Sequence, residues 1–152
     1  MIDLNQEVII DSGQPVKLGA LYSDKLLIYF YPKDMTSGCT KQAVLFQEQQ
    51  ERFNSLGCKI VGVSRDSIKR HNKFKQTYGL TFDLIADTQE QLCHQFKVMA
   101  EKSMYGKTYL GIVRSSFLLD KKGAILKEWR NVKVASHMVS LLSEVKVLIN
   151  VE

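Results

Sequence analysis

The chain has 152 residues, 45% of them hydrophobic and 24% charged, with a formal net charge of +5. That length matches one domain over residues 1–152, able to bury a core without disulfide or metal, and the composition excludes disordered, collagen-like and coiled-coil classes. Basic residues are scattered in runs no longer than Lys121-Lys122, so no nucleic-acid-binding stripe is expected. The longest apolar stretch, Leu26 to Tyr31, falls far short of the roughly 20 residues that cross a bilayer. Met1 to Glu7 contains an early acid and no apolar segment, so no secretory signal is expected. With an odd count of three cysteines, this points to the reducing cytoplasm.

Leu26-Leu27-Ile28-Tyr29-Phe30-Tyr31, closed by Pro32, reads as a fully buried strand. From Cys39 onward, Ala43, Phe46, Phe53 and Leu56 recur at helical spacing, and Gly57 is placed to end that helix. Lys59 to Ser64 reads as a second buried strand. Ser67 is placed to cap a helix carrying Ile68, Phe74 and Tyr78, with Gly79 ending it. Phe82 to Ala86 is a short strand. Asp87-Thr88-Gln89-Glu90 has the form of a capping box opening a helix with Leu92 and Phe96 on one face. Glu101 to Gly111 reads as a loop. Val113 to Leu119 and Ala124 to Arg130 read as a hairpin around Asp120-Lys121-Lys122-Gly123, with Trp129 packed at the sheet edge. Met138, Leu141, Leu142, Val145, Leu148 and Ile149 form a last amphipathic helix. Two crossover units followed by a hairpin and a helix imply an α/β fold: a central mixed sheet with helices on both faces.

The chemistry is concentrated in the loop after the first buried strand. Cys39 stands where that strand hands over to a helix N-terminus, rich in free N–H groups and positive dipole. Such a place favours the thiolate, the reactive form of cysteine. The carboxyl ends of strands in open α/β sheets are also where ligands bind. Thr36, three residues earlier, offers a hydroxyl to a thiolate or an oxygen substrate, or caps the helix. Pro32 can wall a pocket without presenting an N–H, or simply end the strand. His71, His94 and His137 show no metal-ligand spacing with one another or with cysteine, so no metal is expected. The chain contains no Cys-x-x-Cys, no Gly-x-Gly-x-x-Gly and no P-loop, so no nucleotide or other cofactor is indicated.

Pro32, Thr36 and Cys39 match a Pro, three residues, Thr or Ser, two residues, Cys pattern, and this loop resembles that of the peroxiredoxins. Tyr29-Phe30-Tyr31-Pro32-Lys33-Asp34 and Gly38-Cys39-Thr40-Lys41 resemble the Q type, or bacterioferritin comigratory protein subfamily. Gly62-Val63-Ser64, Asp66-Ser67 and His71-Asn72-Lys73-Phe74 continue the likeness. So do Glu101-Lys102, Tyr105-Gly106-Lys107 and Gly111-Ile112-Val113-Arg114 through Asp120. The resemblance implies a thioredoxin-like fold and reduction of hydrogen peroxide and organic hydroperoxides. Cys39 would become a sulfenic acid, with Arg114 bringing a guanidinium beside it. Gln42, one turn after Cys39, could support that guanidinium or sit as a solvated helix residue. The family also implies a thioredoxin-like or glutaredoxin-like reductant and a monomer.

The chain departs from the Q type at three places. Val44 stands where many members carry a resolving cysteine, Ser37 replaces a proline, and the usual N-terminal Pro-Asp-Phe is missing. Cys58 is expected some 25 Å from Cys39, at the far end of the first helix. Cys93 then remains as the possible resolving thiol, or as a core thiol, in which case the external thiol attacks Cys39 directly. A redox sensor or an inactive scaffold on the same fold is the competing reading.

Overall fold

A computed structural model describes residues 1–150. Its first elements have no counterpart in the sequence pattern. β1 (Glu7–Ile9) and β2 (Pro15–Lys17) form a small antiparallel hairpin, followed by a 3₁₀ turn at Leu18–Leu21. Each strand has three residues, and only Val8 among them is buried, so no periodicity marks them.

β3 (Lys25–Phe30) is the centre of a five-stranded sheet. After it come α1 (Ser37–Ser55), β4 (Cys58–Ser64), α2 (Ile68–Tyr78) and β5 (Asp83–Ala86). β4 pairs in parallel with β3, and β5 in parallel with β4. α3 (Gln91–Gln95) and the β6 (Met99–Met104) and β7 (Lys107–Ile112) hairpin then lead to β8 (Ser115–Leu119), β9 (Ile125–Trp129) and α4 (Val134–Asn150). β8 runs antiparallel to β3, and β9 antiparallel to β8. The resulting order is β5-β4-β3-β8-β9, the mixed sheet of a thioredoxin-like fold.

Side-chain alternation along β3 divides the interior in two. Leu27, Tyr29 and Tyr31 join Phe46 and Phe53 of α1, Phe74 of α2, and Met138, Leu141 and Val145 of α4. Leu26, Ile28 and Phe30 face Leu92, Cys93 and Phe96 around α3, together with Val8 and Leu18. Helices therefore lie on both faces, but unevenly: three against one short one. Gly62 sits opposite Tyr29 in the β3–β4 register. A Cβ there would lie 2.9 Å from Leu84 and 3.1 Å from the Tyr29 ring, so glycine is what lets the aromatic ring lie across the sheet.

Ser67 accepts a hydrogen bond from the Arg70 N–H, and Gly79 takes the left-handed conformation at φ +64°, capping α2 at both ends as expected. Trp129 is half-buried on the edge strand against the α4 side of the core. The segment read as a loop over 101–111 is instead the β6–β7 hairpin, turned at Tyr105 and Gly106, both at positive φ. Most of its residues are exposed, which removes the alternation that reveals a strand. The capping box also differs. Glu90 adopts φ +60° and makes no side-chain cap, while the Asp87 carboxylate accepts directly from the N–H groups of Leu92 and Cys93. Strand β8 begins at Ser115, so Arg114 lies in the link before it rather than within a strand.

Candidate active site

Thr36 is the N-cap of α1, and its carbonyl accepts the first helical bond from Thr40 N–H at 2.9 Å. Cys39 therefore occupies the first turn, where unpaired N–H groups converge. It is buried, 2% exposed, in the core cluster that also holds Tyr29, Tyr31, Ala43 and Phe46. Arg114 Nη2 donates to Cys39 Sγ at 3.4 Å, and Nη1 donates to Gln42 Oε1 at 2.6 Å. Gln42 is fully buried, with its amide nitrogen 4.0 Å from Met138 Sδ of α4. The guanidinium lies against Gly38, whose missing Cβ would stand 3.4 Å from Nη2. One turn of helix thus supplies the thiol and the group that orients the arginine beside it, because residues three apart share a helix face.

A second cation is near. Lys102 of β6 donates to the Ile112 carbonyl at 2.5 Å. Its ammonium is pushed down by burial first, then by repulsion from Arg114 and Arg65, with Cys39 opposing. The hairpin thus adds positive field at the thiol, which the sequence pattern does not indicate.

Pro32 is half-buried at the end of β3, and Thr36 is exposed. The Thr36 hydroxyl makes neither a helix cap nor a bond to sulfur. It donates to the Lys33 carbonyl at 2.8 Å, leaving Oγ1 with acceptor capacity only.

Beneath this loop is a buried polar network that pattern reading misses. Asp34 is 1% exposed and His71 is fully buried. His71 Nδ1 meets Asp34 Oδ2 at 2.6 Å, and its Nε2 meets the Ile85 carbonyl at 2.9 Å. Tyr31 donates to Asp34 Oδ1 at 2.5 Å. Asp66 accepts from Ser64, from the Asp34 N–H and from Arg70. Burial would raise the Asp66 carboxyl, but these hydrogen bonds and the neighbouring His71 outweigh it and hold it below the usual range. Asp34, Asp66 and His71 present ligand-type atoms within 4.8 Å of one another. Each of these groups is already hydrogen bonded within the protein.

The other thiols lie apart from the site. Cys58 opens β4 opposite Lys25, fully buried, and burial pushes its thiol up to about 12. Cys93 is fully buried in α3, on the opposite face of the sheet from Cys39. Burial, then the hydrogen bond and charge of Asp87, push its thiol up as well.

His137 of α4 meets Ser116 Oγ at 2.9 Å. Burial pushes this imidazole down to about 4. Between that value and the roughly 6.5 of an unfolded chain, only the unfolded state takes up the proton, so stability falls as pH drops through this window. His137→Gln is expected to flatten that loss. The check is the urea midpoint at about pH 7 and about pH 4.5, where wild type should lose more than the variant.

A buried thiol at a helix N-terminus with a guanidinium at hydrogen-bond range is the arrangement of a thiol oxidoreductase. The AhpC/TSA family matches residues 3–128. Peroxiredoxin Bcp of Bacillus subtilis (strain 168) is 45% identical over 136 residues, which is 90% of this chain and 87% of the relative. Peroxiredoxin Bcp of Xanthomonas campestris pv. campestris is 45% identical over 137 residues, covering 90% and 86%. A solved structure of Xanthomonas campestris peroxiredoxin Q superposes with a TM-score of 0.90 at 42% identity, covering 97% of this chain and 93% of that one. Another, of the bacterioferritin comigratory protein of that organism in trapped intermediate or ligand complexes, gives 0.90 at 41% identity, covering 97% and 94%. That structure bears on the alkyl peroxide reduction activity of the Xanthomonas campestris protein. The chain belongs to the AhpC/TSA family, as a peroxiredoxin of the Bcp, or Q, type.

Proposed function

We propose that Cys39 performs the peroxidase reaction of this peroxiredoxin and that a small external dithiol protein of the thioredoxin or glutaredoxin kind restores it. The observation that carries this reading is the 3.4 Å contact between Arg114 Nη2 and the buried Cys39 Sγ, with Gln42 holding the other guanidinium nitrogen at 2.6 Å. The Cys39 thiolate attacks the nearer peroxide oxygen. An S–O bond forms as the O–O bond breaks, sulfur loses two electrons, and the second oxygen leaves as hydroxide or alkoxide and takes a proton from water. The product is a sulfenic acid.

Arg114 faces the charge that develops on the oxygens, where fixed donors act most strongly. Thr36 Oγ1, with its proton directed to Lys33, is free to accept the O–H of the hydroperoxide. Pro32 closes the pocket wall without offering a competing donor. The partner's first thiol then displaces water from the sulfenic acid. Its second thiol displaces Cys39 from the mixed disulfide.

The burial of Cys93 on the other face of the sheet supports a one-cysteine cycle over an internal disulfide, since bonded cysteines need Cα atoms within about 7 Å. The working form is read as a cytoplasmic monomer. The test is peroxide consumption coupled to a thioredoxin system and, side by side, a glutaredoxin system. Turnover with at least one of them, retained in Cys93→Ser, is expected. Turnover lost in Cys93→Ser would assign Cys93 as the resolving thiol. Stoichiometric oxidation of Cys39 without turnover in either system would favour a redox sensor.

A further inference from the structure

All four polar functions of Asp34 are held. Its N–H donates to Asp66 Oδ2 at 2.9 Å, and its carbonyl accepts from Arg70 Nη2 at 3.2 Å. Its carboxylate oxygens take Tyr31 and His71, at 2.5 Å and 2.6 Å. The next residue, Met35, sits at φ +68°, a left-handed backbone that side chains other than glycine adopt only when their surroundings impose it. Thr36 follows as the N-cap, and Cys39 stands three residues on. Asp34 is therefore the fixed point from which the chain turns sharply into the catalytic helix.

His71 secures that fixed point. It lies in the first turns of α2, with its N–H bonded to the Ser67 carbonyl at 3.0 Å. Both ring nitrogens face acceptors, a carboxylate oxygen and the Ile85 carbonyl. One proton therefore sits on Nε2, and a second lies between Nδ1 and Asp34. The ring ties the loop to α2 and to the end of β5 at once, with both members of the pair shielded from water.

We infer that His71 is a positioning residue for peroxide reduction: through Asp34 and the left-handed turn at Met35 it sets where Pro32 and Thr36 stand relative to Cys39. This rests on the assignment of Cys39 as the peroxide-reactive thiol. The inference separates two properties of the site. Arg114 and the helix N-terminus act on the sulfur itself. The His71–Asp34–Tyr31 network acts on the geometry in which a bound peroxide meets it.

The experiment compares two reactions of Cys39 in the intact protein: oxidation by hydrogen peroxide, followed by competition kinetics, and alkylation by iodoacetamide, which needs the thiolate but no peroxide pocket. In His71→Phe, which keeps a ring but loses both bonds, the peroxide rate constant should fall by about 10- to 100-fold, while alkylation is not slowed. Tyr31→Phe removes a single hydroxyl, keeps the ring against Phe74, and should give a smaller loss with the same selectivity. It serves as the reading if His71→Phe does not fold. A peroxide rate unchanged in either folded variant, or one that falls in parallel with alkylation, overturns the positioning role. A wild-type peroxide rate no faster than that of free cysteine overturns the peroxidase assignment and the inference together.

Discussion

Cys39→Ser is expected to reduce peroxide consumption by more than about 1,000-fold while leaving the fold intact. The residue is 2% exposed, in the same buried core cluster as Tyr29, Tyr31, Ala43 and Phe46, and oxygen is smaller than the sulfur it replaces, so it fits that space without strain. Arg114 can donate to a hydroxyl as it does to sulfur, so the guanidinium stays in place. An alcohol at this position keeps its proton near neutral pH and cannot form the nucleophile, however well it is oriented. Coupled peroxide assays report the activity, and far-UV circular dichroism with a urea titration reports the fold. Substantial turnover in a folded Cys39→Ser protein would move the chemistry to another residue.

Arg114→Ala should lower the rate of Cys39 oxidation by about 100- to 1,000-fold, the scale seen when one fixed donor is removed from a developing oxyanion. It should also cost stability. Gln42 is fully buried and its Oε1 would lose the 2.6 Å bond to Nη1, an unsatisfied acceptor worth about 1–3 kcal/mol. Arg114→Lys should recover only part of the rate. An ammonium is one point charge, whereas the guanidinium reaches Cys39 with Nη2 and Gln42 with Nη1 together. Stopped-flow oxidation kinetics and urea titrations on the two variants check both halves. A lysine variant as fast as wild type would reduce the role of Arg114 to charge alone.

The two central strands, β3 and β4, are legible from sequence because both faces of each are buried and their apolar runs are continuous. Cys39 and Gln42 are legible as helix neighbours from their spacing alone. Arg114 is not, because it meets Cys39 across 75 residues and lies in a link with no pattern of its own. Only the resemblance of the Gly111 to Arg114 segment to a known family singles it out. The β6–β7 hairpin escapes notice because most of its residues face water, so neither alternation nor an apolar run marks it. The contribution of Lys102 escapes with it. The Asp34–His71 pair joins residues 37 apart, on a loop and a helix, and a lone histidine in a polar stretch carries no sign of a buried partner.

Mass spectrometry of the fully reduced protein, treated with one equivalent of hydrogen peroxide in the absence of any reductant and in the presence of a sulfenic-acid trap, tests the central claim most directly. The prediction is a single adduct on Cys39, with Cys58 and Cys93 recovered as free thiols. An unmodified Cys39, or an adduct confined to Cys58 or Cys93, would contradict it.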